Sequence, residues 1–141
     1  MANEVKWKAP TTRATGLGNS ALTAGANLLS SEVDNQANLD RLLALELAWR
    51  CTTAATAGSV VEVYILYAVD GTNYEDGGVG VDPFKAPIGV FVDNGGSASQ
   101  KQTISGIPLA PHKFKVLLKS ELDQDASSVT LTAKTYNEDI Q

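Results

Sequence analysis

An all-β domain, a β-sandwich or jelly roll of about seven or eight strands with an extended N-terminal arm, is the fold class this sequence predicts. Three observations point to it. From Ser59 onward the apolar residues fall in short runs rich in β-branched and aromatic side chains, most of them alternating with period two. Turn-forming clusters separate these runs at close spacing: Asp70-Gly71-Thr72-Asn73, Asp93-Asn94-Gly95-Gly96, and the pair Pro108 and Pro111. Finally, 141 residues with 43% hydrophobic and 19% charged residues make one globular domain that buries a core without staples.

The elements follow in order. Residues 1–38 read as an arm before a sandwich domain at 39–141. The arm is rich in Ala, Asn, Ser, Thr and Gly, with isolated apolar residues. Val5-Lys6-Trp7-Lys8 alternates and is closed by Pro10, as in a short strand. Ala21 to Gly25 and Asn27 to Leu29 supply another with a glycine kink. Leu39 to Trp49 reads two ways. Leu39, Leu42, Leu43 and Leu47 would line one face of a helix, whereas Leu43, Leu45, Leu47, Trp49 and Cys51 alternate as in a strand. The strand reading agrees with everything downstream.

Val60 to Val69 is too apolar on both sides for a half-exposed strand. Its odd set, Val61 to Val69, is expected to face the core, and Tyr64 and Leu66 to lie under the arm or a neighbouring subunit. A Gly-, Asp- and Pro-rich loop, 75–87, precedes short strands at 88–92 and 100–107. His112 to Lys119 then puts Phe114, Val116 and Leu118 inward and Lys113, Lys115 and Lys119 outward as a solvated, edge-guarding strip. A polar loop at 120–127 leads to the last strand, 129–136.

Composition narrows the function. A net charge of −5 disfavours nucleic acid and anionic membranes as partners. A single cysteine excludes an internal disulfide, no apolar run is long enough for a spanning helix, and MANEVKWKAP is no signal peptide. The expected compartment is one where thiols stay reduced. Catalysis finds no constellation, and no metal or cofactor site is expected. His112 is the only histidine and reads as a loop residue, while Cys51 falls on the apolar side of its run. Asp70, Asn73, Glu75, Asp76 and Asp82 share one loop, but their spacing fits turns better than a calcium loop. Gly16-Leu17-Gly18 lacks the lysine and the third glycine of a phosphate loop. Trp49 sits in a core run; Trp7, between two lysines in a polar arm, suits an interface anchor.

The stretches VEVYILYAVDGTNYEDG, IGVFV, TISGIPLAPHKFKVLLKSE and VTLTAKTYNEDI, spanning roughly residues 40–140, resemble a family of small tailed-bacteriophage virion proteins associated with head decoration, or cement. The D-G-T-N-Y turn and the I-P-L-x-P-x-x-F-K-V strand entry carry the likeness. The resemblance implies a non-enzymatic protein of the virion, made in the host cytoplasm. It would bind the major capsid protein on the outside of the expanded head, at capsomer junctions, as a homodimer or homotrimer. The arm would supply the contact, with Val5, Trp7, Pro10, Leu17, Leu22, Leu28 and Leu29 as candidates beside Tyr64. Two other readings compete. One is a tail-tube, tail-terminator, baseplate or fibre-associated virion protein. The other is a carbohydrate-binding β-sandwich, in which Trp7, Tyr64, Tyr67 and Tyr74 would line one face.

Overall fold

The computed structural model describes residues 5–140, with side chains from Trp7 to Glu138. Its strands are β1 (Val5–Trp7), β2 (Thr11–Arg13), β3 (Ser20–Leu22), β4 (Asn27–Leu29), β5 (Val33–Asp34), β6 (Leu42–Cys51), β7 (Val60–Ala68), β8 (Gly89–Val92), β9 (Gln100–Pro108), β10 (Lys113–Glu121), β11 (Ala126–Tyr136) and β12 (Glu138–Ile140). Ten of them form two five-stranded antiparallel sheets. One runs β4-β10-β7-β8 with β5 also on β10; the other runs β2-β11-β6-β9 with β3 also on β11. β1 and β12 pair as a separate two-stranded ribbon.

The segment open between helix and strand is β6. All five residues of its alternating set, Leu43 to Cys51, are buried in the core between the sheets. They meet Val61, Val63, Ile65, Phe91, Phe114, Val116 and Leu118 from the facing sheet, with Val129 and Leu131 beside them on β11. Leu39, which a helix would have placed on its apolar face, is exposed in left-handed backbone with φ 52°. Of the odd set in β7, Val61, Val63 and Ile65 reach this core. Tyr67 only half enters it, and Val69 lies past the strand end, exposed.

The boundary at 38/39 does not separate two units. β2 and β3 pair with β11, β4 and β5 pair with β10, and Leu17, Leu22 and Val33 lie in the shared core. The arm is therefore woven along the outer edges of both sheets. Such short strands carry no periodicity of their own; they are held by partners a hundred residues away.

Tyr64 and Leu66 do lie on a covered face; the arm contributes Leu29 to the cover, and a loop joins it there. The 75–87 loop straps across the outer face of β7 and β10, over a second small core of Tyr64, Leu66 and Leu117. Gly77 lets it approach. Its φ is 140°, and a Cβ there would sit 3.2 Å from Leu66 Cδ1. Polar latches fix the strap. Asn27 Nδ2 donates to Gly78 O and Val81 O, each at 3.1 Å, and Lys85 Nζ donates to Ile65 O at 2.9 Å. Lys119 Nζ lies 3.3 Å from Asp82 and 2.9 Å from Glu121.

The lysine strip is also placed differently from expectation. β10 is a central strand, so Lys113, Lys115 and Lys119 guard no edge. They are half-buried and engaged: Lys113 with Glu32 at 3.0 Å, Lys115 over the Tyr74 ring at 4.4 Å, and Lys119 as above. The edge that needs guarding, β8, is closed by a side chain. Val92 N–H donates to Gln102 Oε1 at 2.9 Å and Gln102 Nε2 donates back to Val92 O at 2.5 Å, an amide standing in for a strand.

Asp93 ties that end of the sandwich together. It is buried and accepts from Trp49 Nε1 at 2.9 Å, Gln100 Nε2 at 2.5 Å and the Gly95 N–H at 2.8 Å. Cys51 Sγ lies 3.6 Å from the same carboxylate. Desolvation, reinforced by Asp93, pushes the Cys51 thiol up to about 11. Native protein at pH 8 is therefore expected to resist thiol-labelling reagents, with labelling appearing only in denaturant. The folded state disfavours the thiolate, so stability should fall as pH rises through about 9 toward 11. Fast native-state labelling at pH 8 would contradict this burial.

Candidate functional site

Chain connectivity defines the two ends of the sandwich. β6 runs into β7, β8 into β9 and β10 into β11 at one end, where Cys51 and Asp93 lie. The other end collects the start of β6, the end of β7, the β9–β10 turn and the departure of the terminal ribbon. His112 belongs to this second end, packed edge-on to Tyr67 with centroids 6.3 Å apart. Cys51 and His112 thus stand at opposite ends and cannot act as a nucleophile–base pair.

The ribbon end gathers most of the singled-out aromatic residues. β11 continues beyond Tyr136, the last residue paired with β6, into β12, which pairs with β1 in the register Trp7↔Glu138. Trp7 packs edge-on against Tyr136, centroids 5.4 Å apart, and remains 64% exposed. Tyr136 is fixed in turn, its hydroxyl accepting the Gly106 N–H at 3.0 Å. Arg41, Leu42, Pro108 and Glu138 line a shallow cleft at the ribbon's base. A two-stranded ribbon is marginal in water by itself, and the packing of Trp7 on Tyr136 ties it to the sandwich.

The remaining contact candidates scatter. Pro10 is exposed. Leu17 and Leu22 are core residues; Leu28 packs against the main core and Leu29 against the small one. Tyr64 is buried under the strap. Its hydroxyl donates to Glu62 Oε2 at 2.6 Å, and desolvation followed by that carboxylate pushes it up to about 12. Leu17, Leu22 and Tyr64 are consumed by the fold and are unavailable to a partner. The side chain of Val5 lies outside the described residues.

Tyr67 and Tyr74 come together at the same end. Glu75 N–H donates to Tyr67 O at 3.0 Å and Tyr67 N–H donates to Glu75 Oε2 at 2.9 Å, so the turn after β7 folds back on the strand. Asp70 builds that turn by accepting from the N–H groups of Asn73 at 2.7 Å and Thr72 at 2.8 Å, bonds that hold its carboxyl below the usual range. Asp70, Glu75 and Asp82 thus serve turn and ion-pair roles. Among the described residues, no three His, Cys, Asp or Glu side chains gather so as to hold a metal ion.

Composition also hid the strap's outer surface. Phe84 is 89% exposed and Val79 73%, with Val81 exposed beside them. A Gly/Asp/Pro loop reads as turn, and only its tethering shows that these side chains are presented rather than free.

No protein-family model and no curated protein matches the sequence. Among solved structures, the chain is similar to the CBM36-1 domain of a multidomain xylanase from the hindgut metagenome of Trinervitermes trinervoides. Identity is 15%, the TM-score is 0.50, and the match covers 94% of this chain and 96% of that one. The likeness is one of fold: the chain is a β-sandwich of the kind that carbohydrate-binding module adopts.

Proposed function

We propose that this protein is a non-catalytic attachment module of a phage virion. It binds the outside of the expanded head by docking the ribbon end of its sandwich onto the major capsid protein. The observation that carries the reading is Trp7, largely exposed yet braced against Tyr136. A rigid aromatic anchor loses little entropy on docking, and burying it recovers the apolar area a short ribbon leaves in water. The virion assignment itself draws on the sequence segments quoted above.

The apolar strap suits the second contact such a protein needs. Val79, Val81 and Phe84 lie on the opposite sheet's outer face, away from the ribbon, where a further copy would associate around a symmetry axis. Repeated over a shell, modest interfaces of this kind resist outward pressure together.

Trp7→Ala is expected to weaken attachment to purified expanded shells by about 1–3 kcal/mol, read by cosedimentation, with the thermal midpoint unchanged. Full occupancy would remove the ribbon from the contact. Phe84→Ser is expected to shift sedimenting oligomers toward monomer without loss of stability. A wild-type protein already monomeric at micromolar concentration would refute the strap contact.

A second reading, a carbohydrate-binding module, is favoured by the sandwich fold. The requirement that all four named aromatics line one face is not met, because Tyr64 is buried and the Tyr67 and Tyr74 rings pack on opposite faces of the β7/β10 sheet.

A further inference from the structure

Where the strap reaches β4, one buried amide is asked for more than it has. Asn27 is 9% exposed. Its Nδ2 carries two hydrogens, yet three oxygens converge on that atom: Gly78 O, Val81 O and Asp82 Oδ1, each at 3.1 Å. Its Oδ1 is buried with no partner, the one such side-chain atom among the described residues. A turn presents the three oxygens. Gly78 N–H donates to Val81 O at 2.9 Å and Val81 N–H to Gly78 O at 3.2 Å, so each carbonyl uses one lone pair there and keeps another. Asp82 divides its carboxylate: Oδ2 lies 3.3 Å from Lys119 Nζ, while Oδ1 joins the carbonyls. The same lysine pairs with Glu121 at 2.9 Å and stands opposite Glu62 in the β7–β10 ladder. Three carboxylates around one ammonium leave this neighbourhood negative. An open cleft of about 570 Å³, lined by Gly25, Ala26, Asn27, Val79, Gly80 and Asp82, exposes the turn to solvent.

We infer that the strap turn is a calcium site, with Gly78 O, Val81 O, Asp82 Oδ1 and Asn27 Oδ1 as protein ligands and water from the cleft completing the shell. The inference goes beyond the attachment role and does not depend on it. An amide carries its oxygen and nitrogen at equivalent positions, so a half-turn of the Asn27 side chain about its last bond puts the orphaned acceptor where the overcommitted donor stood. The resulting all-oxygen set suits a hard cation. Calcium bonds oxygen at about 2.3–2.6 Å, so the three oxygens close by about 0.5–0.8 Å from their 3.1 Å spacing around Nδ2. Magnesium needs a tighter octahedron and gives up water reluctantly, which a short turn with one carboxylate does not offset. Three of the four ligands are backbone or amide oxygens, so no cluster of acids marks the place. A bound cation would fasten the strap, and with it Val79 and Val81, to β4.

The experiment is a titration of the intact, chelator-treated protein with calcium chloride and separately with magnesium chloride, read by amide NMR spectra and by the thermal midpoint. Calcium is expected to move the amide signals of residues 27 and 78–82 saturably, with half-saturation at about 10⁻⁴–10⁻³ M, and to raise the midpoint; magnesium should bind at least about tenfold more weakly. Asp82→Asn keeps the shape of an exposed side chain but removes the only charged ligand, and should weaken calcium binding about tenfold or more. Asn27→Asp supplies a second carboxylate. It should lower the midpoint in chelator and tighten calcium binding about tenfold, because affinity follows the number of charged ligands. Phe84→Ser leaves every ligand in place and should bind calcium as the wild type does. A wild type whose strap amides show no saturable shift up to about 10 mM calcium overturns the site. Saturable shifts that persist unchanged in Asp82→Asn overturn it as well, since the cation then sits elsewhere.

Discussion

A chain lacking residues 1–38 is expected to fail to fold, giving no cooperative thermal transition and an aggregation-prone product. Composition alone suggests the opposite, a dispensable polar arm. The packing decides. Leu17, Leu22 and Val33 are 7%, 2% and 4% exposed. Each such side chain contributes about 1.5–3 kcal/mol by leaving water, so their loss removes about 5–9 kcal/mol. A domain's net stability is only about 5–15 kcal/mol. The deletion also strips β2 to β5 from the outer edges of β11 and β10, baring two long strands as templates for wrong pairing. Removing only residues 1–10, which takes the ribbon strand and Trp7 but no core residue, should leave the midpoint within a few degrees and abolish attachment to shells. Circular dichroism melts of the two truncations separate the roles. A sharp transition in the longer deletion near that of the intact chain would mean the arm's burial contributes nothing.

The contrast shows where a sequence is readable. β7, β10 and β11 were legible because each presents several alternating apolar residues to one core, and such a pattern survives without knowledge of partners. β6 was readable only once the rest was β, since its leucines satisfy both periods. The arm's strands, two or three residues each, contain about one inward side chain apiece and leave no period to detect. The strap was correctly a loop, and the apolar outer face of β7 correctly demanded a cover. That the two belong together depends on a tertiary return which no local pattern encodes. The same holds for the site. Trp7 stood out by its setting and Tyr74 by its place in the D-G-T-N-Y turn, but that this turn folds back on β7 depends on the exchange of hydrogen bonds between Tyr67 and Glu75. Phe84 gave no signal at all.

Asp40→Ala is expected to be the most damaging single substitution at the ribbon end, costing about 3–5 kcal/mol, the range for leaving a buried partner charge unpaired. Asp40 is buried and accepts from Arg13 Nη2 at 2.7 Å, from the Thr135 hydroxyl at 2.5 Å and from Asn137 Nδ2 at 3.0 Å. Arg13 Nε also donates to Thr135 Oγ1 at 2.7 Å. Asn35 completes the knot, accepting from the Asp40 N–H at 3.0 Å and donating to Asp40 O at 2.8 Å and Ala110 O at 3.0 Å. Removing the carboxylate strands a mostly buried guanidinium and a buried hydroxyl together. Replacing both ions, as Arg13→Met with Asp40→Leu, should cost much less than Asp40→Ala, because no charge is then left without its partner. Glu46→Ala, which breaks the exposed pair with Lys101 at 3.4 Å, should cost under about 1 kcal/mol. Denaturant midpoints of the three variants test the ordering, and equal losses from Asp40→Ala and Glu46→Ala would sink it. A functional consequence follows from the same bonds. Asn137 is the residue between β11 and β12, held by Asp40 on one side and by the Arg41 N–H at 2.8 Å on the other. The knot therefore sets the angle at which the ribbon leaves the sandwich. Asp40→Ala should weaken shell attachment at temperatures where the variant is still fully folded, a loss that stability alone does not produce.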